Sequence, residues 1–119
     1  MNDKVNLAEK FALLDEPYNP ATVGYVNDAK IVVALIEGEF VWHTHDDTDD
    51  FFLVMDGELT IQLRDDDVVL GAGELFVVPR GVEHCPKADV PTRVVLIEKA
   101  GTPNTGDTGG EMTRAEREI

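Results

Sequence analysis

The chain holds three histidines, and two of them stand together in His43-Thr44-His45. In extended backbone, residues two apart point to the same face, about 6–7 Å apart along the chain. Two imidazoles presented in this way can converge on one metal ion. The third, His84, follows a Pro79-Arg80-Gly81 turn, where a chain reversal could return it to the same place. Nitrogen and oxygen donors without thiolate suit one divalent transition ion of the Fe, Mn, Ni, Zn or Cu group. Three or four protein ligands leave coordination positions open, as catalytic metal sites do.

A His-x-His pair by itself is a weak signal, and the frame around it carries the weight. Gly38, His43, His45, Asp50 and Gly57 read as G-x4-H-x-H-x4-D-x6-G, and Gly73, Pro79, Gly81 and His84 read as G-x5-P-x-G-x2-H. The glycines and the proline suit tight turns. The histidines and the carboxylate then sit on strands that face a common cavity.

This pattern resembles the cupin superfamily, whose two motifs are G-x5-H-x-H-x3,4-E-x6-G and G-x5-P-x-G-x2-H-x3-N. By motif the resemblance runs from Gly38 to Ala88, and the strand pattern extends it from Thr22 to Glu98. It implies an all-β fold, the double-stranded β-helix or jelly-roll barrel, and metal ligands at His43, His45, Asp50 and His84. All three histidines of the chain fall on ligand positions.

Three departures stand out. Motif one has four residues between Gly38 and His43, and Ala88 replaces the motif-two asparagine. The glutamate position holds aspartate. Asp49 would give x3 and then x7 to Gly57, whereas Asp50 gives x4 and the expected x6, so Asp50 is the match. Aspartate is one methylene shorter, so it either reaches the metal through a small backbone shift or stands behind the ligands.

The elements that must position these residues read as follows. Val5, Ala8, Phe11 and Ala12 lie at helical spacing, giving a short helix over Lys4–Leu14 with Asn2 or Asp3 as cap and Pro17 beyond. Strand-like runs follow at Thr22–Val26, Lys30–Glu37, Phe40–His43, Phe51–Met55, Leu59–Arg64, Leu75–Val78 and Thr92–Glu98, separated by turn residues. Asp65–Asp67, Gly71-Ala72-Gly73 and Asp89–Pro91 are among the breaks. Asp56-Gly57 is a two-residue hairpin signal, since Asp-Gly tolerates the positive φ of a type I′ turn. The organisation expected is a helical lead-in over 1–21, a barrel over 22–99 and a flexible tail over 100–119, poorly ordered or packed on a partner subunit.

Composition bounds the function. The 119 residues carry 24 acidic and 10 basic side chains, a net charge of −14, which disfavours nucleic acid and anionic membranes as partners. The longest apolar run, Ile31–Ile36, falls far short of the about 20 residues a membrane span needs. No signal peptide is visible, and Cys85 has no partner for a disulfide, so the cytoplasm is expected. Cys85 neighbours His84 on a strand and therefore points away from the metal. The aspartate runs lack the spacing of a calcium loop and read as solvated turns.

Phe52 and Val54 share the face of Asp50 by period two, and Leu59, Ile61 and Leu63 form the matching face of the next strand. Arg64, Arg80 and Arg93 are candidates to hold an anion, with surface exposure the better reading for each. No histidine is left as general base, so any acid–base step must use a carboxylate, Tyr18, Tyr25 or the metal-bound water. The expected function is a metal-dependent enzyme of isomerase, lyase or dioxygenase type acting on a small polar metabolite. The alternative is a small-molecule binding or sensing cupin without catalysis. A homodimer joined through Thr22–Ile36 is expected in either case.

Overall fold

Alternation along the second strand shows how the barrel closes. Lys30, Val32, Ala34 and Ile36 are buried on its inner face, while Ile31, Val33 and Leu35 face outward. The computed structural model describes residues 3–119. Its strands are β1 (Ala21–Val26), β2 (Ala29–Glu39), β3 (Asp50–Asp56), β4 (Glu58–Leu63), β5 (Asp67–Gly71), β6 (Leu75–Val78) and β7 (His84–Lys99). All pairings are antiparallel, in the order β1-β2-β7-β3-β6, with β4 joined to β5 and β7. The result is a jelly-roll barrel with a short N-terminal helix, as expected.

Strand β7 is the seam. Its 16 residues pair with β4 over His84–Lys87, with β3 over Arg93–Ile97 and with β2 along most of its length, so one strand joins all parts of the seven-stranded sheet. The inner faces form one core, with Phe52, Val54, Leu59, Ile61 and Val94 among its most buried members. A second core lies outside the barrel. There Phe11 and Leu14 pack on Ala21, Val33 and Val95.

Several expectations need correction. The helix α1 is shorter than Lys4–Leu14: it spans Leu7–Phe11, because the Asn6 side chain accepts from Glu9 N–H at 3.0 Å and starts it there. Asp3 is not the cap, and Asn2 lies outside the described residues. Phe40–His43 is not a strand; only His43 forms a bridge, to His84. Strand β5 is not among the expected runs, since its ends Asp67 and Gly71 read as breaks, and β7 continues through Asp89–Pro91 without a break.

Asp56-Gly57 is not a hairpin. The strands it joins do not pair with each other: β3 pairs with β6 and β7, and β4 with β5 and β7. The turn is a corner that carries the chain from β3 to β4, which lie against different stretches of β7. Gly57, at φ +97°, packs so closely on β7 that a Cβ there would lie 2.5 Å from Thr92 Oγ1. The Thr92 hydroxyl accepts from Glu58 N–H at 3.1 Å, which pins the corner to the middle of β7.

The tail lies along its own barrel. Thr22 N–H donates to Arg117 O at 2.8 Å, Ile119 N–H donates to Thr22 O at 3.1 Å, and Thr105 is fully buried. Turns and one bridge make up Glu111–Ile119. No helix among the described residues is long and apolar enough to cross a membrane.

Candidate metal centre

Extended backbone brings the four expected ligands together. His43 and His45 flank the half-buried Thr44, so both rings turn to the same inner side. Asp50 opens β3 facing inward, two residues before Phe52. His84 opens β7 directly opposite His43. All four side chains are buried, and one ligand atom from each lies within 4.8 Å of the others. His45 Nε2 and His84 Nε2 each stand 3.4 Å from Asp50 Oδ2. Donors bound to one ion at ~2.1 Å stand about 3.0–3.4 Å apart in tetrahedral or cis positions, so the spacing fits a cation.

Hydrogen bonding places a hydrogen on Nδ1 of two rings. His43 Nδ1 lies 2.8 Å from Val41 O, and His84 Nδ1 lies 2.9 Å from Val82 O. A carbonyl only accepts, so each Nδ1 carries a hydrogen and Nε2 is the ring atom left to ligate. His84 Nε2 and Asp50 Oδ1 have no hydrogen-bond partner although both are buried. Buried polar atoms are rarely left so. His84 Nε2 and Asp50 Oδ2 stand 3.4 Å apart in a dry site, a contact that a proton or a metal ion between them stabilises.

The electrostatics agree. Burial, and then the neighbouring His84, pull His43 down from its ordinary 6.5 to about 4, so the ring is neutral near pH 7. Burial alone would raise Asp50, but the contacts with His45 and His84 outweigh it, and its carboxyl falls well below the usual range. A neutral His43 beside an ionised Asp50 matches the protonation a metal needs of its ligands.

A cavity opens onto His43 and Asp50. Ile36, Phe40, Phe52 and Leu96 give it apolar walls, and Tyr18, Glu98 and Asn104 add polar groups. The Tyr18 hydroxyl donates to Gly38 O at 2.7 Å and lies 3.2 Å from Pro86 O, and burial raises its pKa far above the working range. Asn104 is spent on the tail, through Met112 O and Arg114 N–H. Glu98 remains. Burial first, and then the charge of Asp50, hold its carboxyl well above the usual range, with Lys30 opposing from 3.7 Å.

Residues outside the cluster fall where they were expected, with exceptions. Cys85 is buried and outside the four-residue cluster, and burial raises its thiol to about 11. Asp49 faces Arg80 at the surface, which leaves Asp50 as the inward carboxylate. Arg64 and Arg93 pair with Glu83 and Asp56 and do not line the cavity. Tyr25 is exposed and bonded to Glu118, so neither tyrosine is free to act as a base. Sequence reading missed Glu98, although Val94, Leu96 and Glu98 share one face of β7 by period two. It also missed Asn104, which has no periodic signal.

The family model for the cupin domain matches residues 31–98. A cupin-2 domain containing protein of Shewanella frigidimarina is 42% identical over 80% of this chain and 93% of that one, with a TM-score of 0.78. The Bacillus subtilis protein YdbB is 35% identical over 65% of this chain and 69% of its own. A 3-hydroxyanthranilate 3,4-dioxygenase of Xanthomonas oryzae is 28% identical over 53% of this chain, a match that spans only 38% of the dioxygenase.

Proposed function

Because this chain belongs to the cupin domain family, we propose that it is a metal-dependent enzyme of dioxygenase type acting on a small, largely apolar metabolite. His43, His45, Asp50 and His84 would hold the ion. The observation that carries this reading is the convergence of four buried side chains, His43, His45, Asp50 and His84, with one ligand atom of each within 4.8 Å of the others. When bound, the ion supplies Lewis-acid or redox chemistry.

The chain's own residues supply the rest. Phe40, Phe52 and Leu96 exclude water and favour a flat or apolar ligand. Glu98, whose carboxyl pKa burial and Asp50 raise, would share a hydrogen with a hydroxyl or amine of the ligand. No guanidinium lines the cavity, which favours an uncharged substrate over a phosphate or sugar acid. Dioxygenase chemistry is preferred over isomerase or lyase because a sequence relative carries that activity in its name.

A second reading is a binding module without turnover. It is favoured by the scarcity of side-chain bases, since Tyr18 is locked to two carbonyls. Oxygen uptake separates the two. Metal-loaded protein incubated with small phenols and aminophenols should consume O2, and His84→Ala should not. Tight ligand retention with no O2 consumption would favour the binding module.

Association as a homodimer through Thr22–Ile36 belongs to the same proposal. It is supported by Tyr25 and Val26, which are exposed on β1. Light scattering should give twice the 13.1 kDa chain mass, and a species at 13.1 kDa would contradict it.

A further inference from the structure

Of the three buried rings at the metal centre, two are anchored and one is not. His43 and His84 each tie Nδ1 to a carbonyl two residues earlier, at 2.8 and 2.9 Å. His45 Nδ1 is buried and has no partner. A ring free to swing about χ1 and χ2 makes a poor ligand unless packing holds it.

What packs there is the tail. Gly106 sits against the His43–His45 segment so closely that a Cβ on it would lie 1.9 Å from Thr44 O and 3.3 Å from His45 Nδ1. Asp107 N–H donates to Thr44 O at 3.3 Å, and the Thr108 hydroxyl donates to Trp42 O at 3.1 Å. These contacts grip the backbone on both sides of His43.

The gripping segment is itself held firmly. Thr105 is fully buried, and its hydroxyl bonds that of Thr113 at 2.6 Å. Asn104 spans a loop by donating to Met112 O at 3.0 Å and accepting from Arg114 N–H at 3.1 Å. The buried Lys30 donates to Thr102 O at 2.9 Å and pairs with Glu116 at 3.3 Å, so the inner face of β2 holds both ends. All of this lies beyond residues 31–98, the region shared with the family.

We propose that residues 101–117 form a strap that completes the metal centre, with Gly106 as the positioning residue for His45. The inference rests on the metal-binding reading above. Glycine is required at 106 because both its positive φ of +56° and the contact with Thr44 exclude a side chain.

The test is a Co(II) titration of the full-length protein, followed by chelator competition and by the visible absorption of the bound ion. Gly106→Ala should weaken Co(II) binding about tenfold or more and alter the visible bands. Gly73→Ala, at φ +83° in the turn between β5 and β6 and with open space around it, should leave both unchanged. Thr105→Val, which is nearly isosteric and breaks the buried hydroxyl pair, should weaken binding by a smaller factor and raise hydrogen exchange over residues 101–117. If Gly106→Ala binds Co(II) with wild-type affinity and spectrum, the strap does not position His45. If that variant fails to fold, wild-type affinity in Thr105→Val overturns the proposal. Wild-type protein that binds no Co(II) overturns the metal centre as well, whereas binding that ignores both variants overturns only the strap.

Discussion

His43 and His84 exchange both backbone hydrogen bonds, each N–H donating to the other's carbonyl at 3.0 Å, and their ring centroids stand 4.3 Å apart. The bridge is made by main chain, so it survives loss of either side chain. His84→Ala should therefore keep the fold, at a cost of about 1–3 kcal/mol for the cavity it leaves, while metal affinity falls more than about 100-fold. Circular dichroism and metal titration on the same sample check both halves. Retained affinity would show that His84 is not a ligand.

Asp50 already brings Oδ2 to 3.4 Å from both Nε2 atoms and is only 2% exposed. An added methylene must push the carboxylate past the rings or displace β3. Asp50→Glu restores the residue usual in the family, yet it should lower stability by about 1–3 kcal/mol through overpacking and give no tighter metal binding. Thermal melts and Co(II) competition read the two effects. Tighter binding at unchanged stability would mean that Asp50 stands back from the ion.

Acid should destabilise the metal-free protein in a defined window. The folded-state pKa of His43 lies below its ordinary 6.5, at about 4, so protons bind the unfolded state preferentially. Stability conferred by the neutral ring is complete above pH 6.5 and is lost as pH falls toward 4, by about 3 kcal/mol in all. Asp50, also lowered, adds a further loss below its unfolded value of 3.8. Glu98 acts with the opposite sign: its raised pKa makes stability fall as pH rises above 4.5. Chemical denaturation of Glu98→Gln from pH 7 to pH 4 removes that opposing slope. Its stability should drop steadily across the range, and a flat profile would contradict a neutral buried His43.

The corner at Gly57 predicts a structural defect remote from the metal. A Cβ there meets Thr92 Oγ1 at 2.5 Å and Pro91 O at 2.9 Å, at a φ of +97°. Gly57→Ala should cost about 2–4 kcal/mol. Thr92→Val leaves Glu58 N–H without its acceptor and should cost about 1–3 kcal/mol. Denaturant melts of the two variants and of the double variant would show less than additive loss, because both act on one contact.

The ligand set was legible because ligation demands particular side chains at particular spacings, and those spacings survive in His43-x-His45, Asp50 and His84. Which neighbours a strand pairs with is not encoded locally. Asp56-Gly57 carries the residues of a hairpin turn but makes a corner, because the deciding contact comes from Thr92 on a distant strand. Strand β5 was hidden by the Asp65–Asp67 run at its start, and β7 by Asp89–Pro91, where side-chain bonding by Thr92 carries the ladder through a bend. The tail has no period for the same reason that it is ordered. Its structure comes from caps and hydroxyl pairs such as Thr105 with Thr113, and not from an apolar face. Glu98 looked like the polar end of a strand until its partner Lys30 proved to be buried with it.

Metal stoichiometry by inductively coupled plasma mass spectrometry, on protein purified without an affinity nickel column, bears most directly on the whole account. One transition ion per chain is expected in the wild type and less than a tenth of that in His84→Ala with its fold intact. A wild type that holds none after reconstitution with Fe(II), Mn(II), Co(II), Ni(II), Cu(II) or Zn(II), or a variant that holds as much, would contradict it.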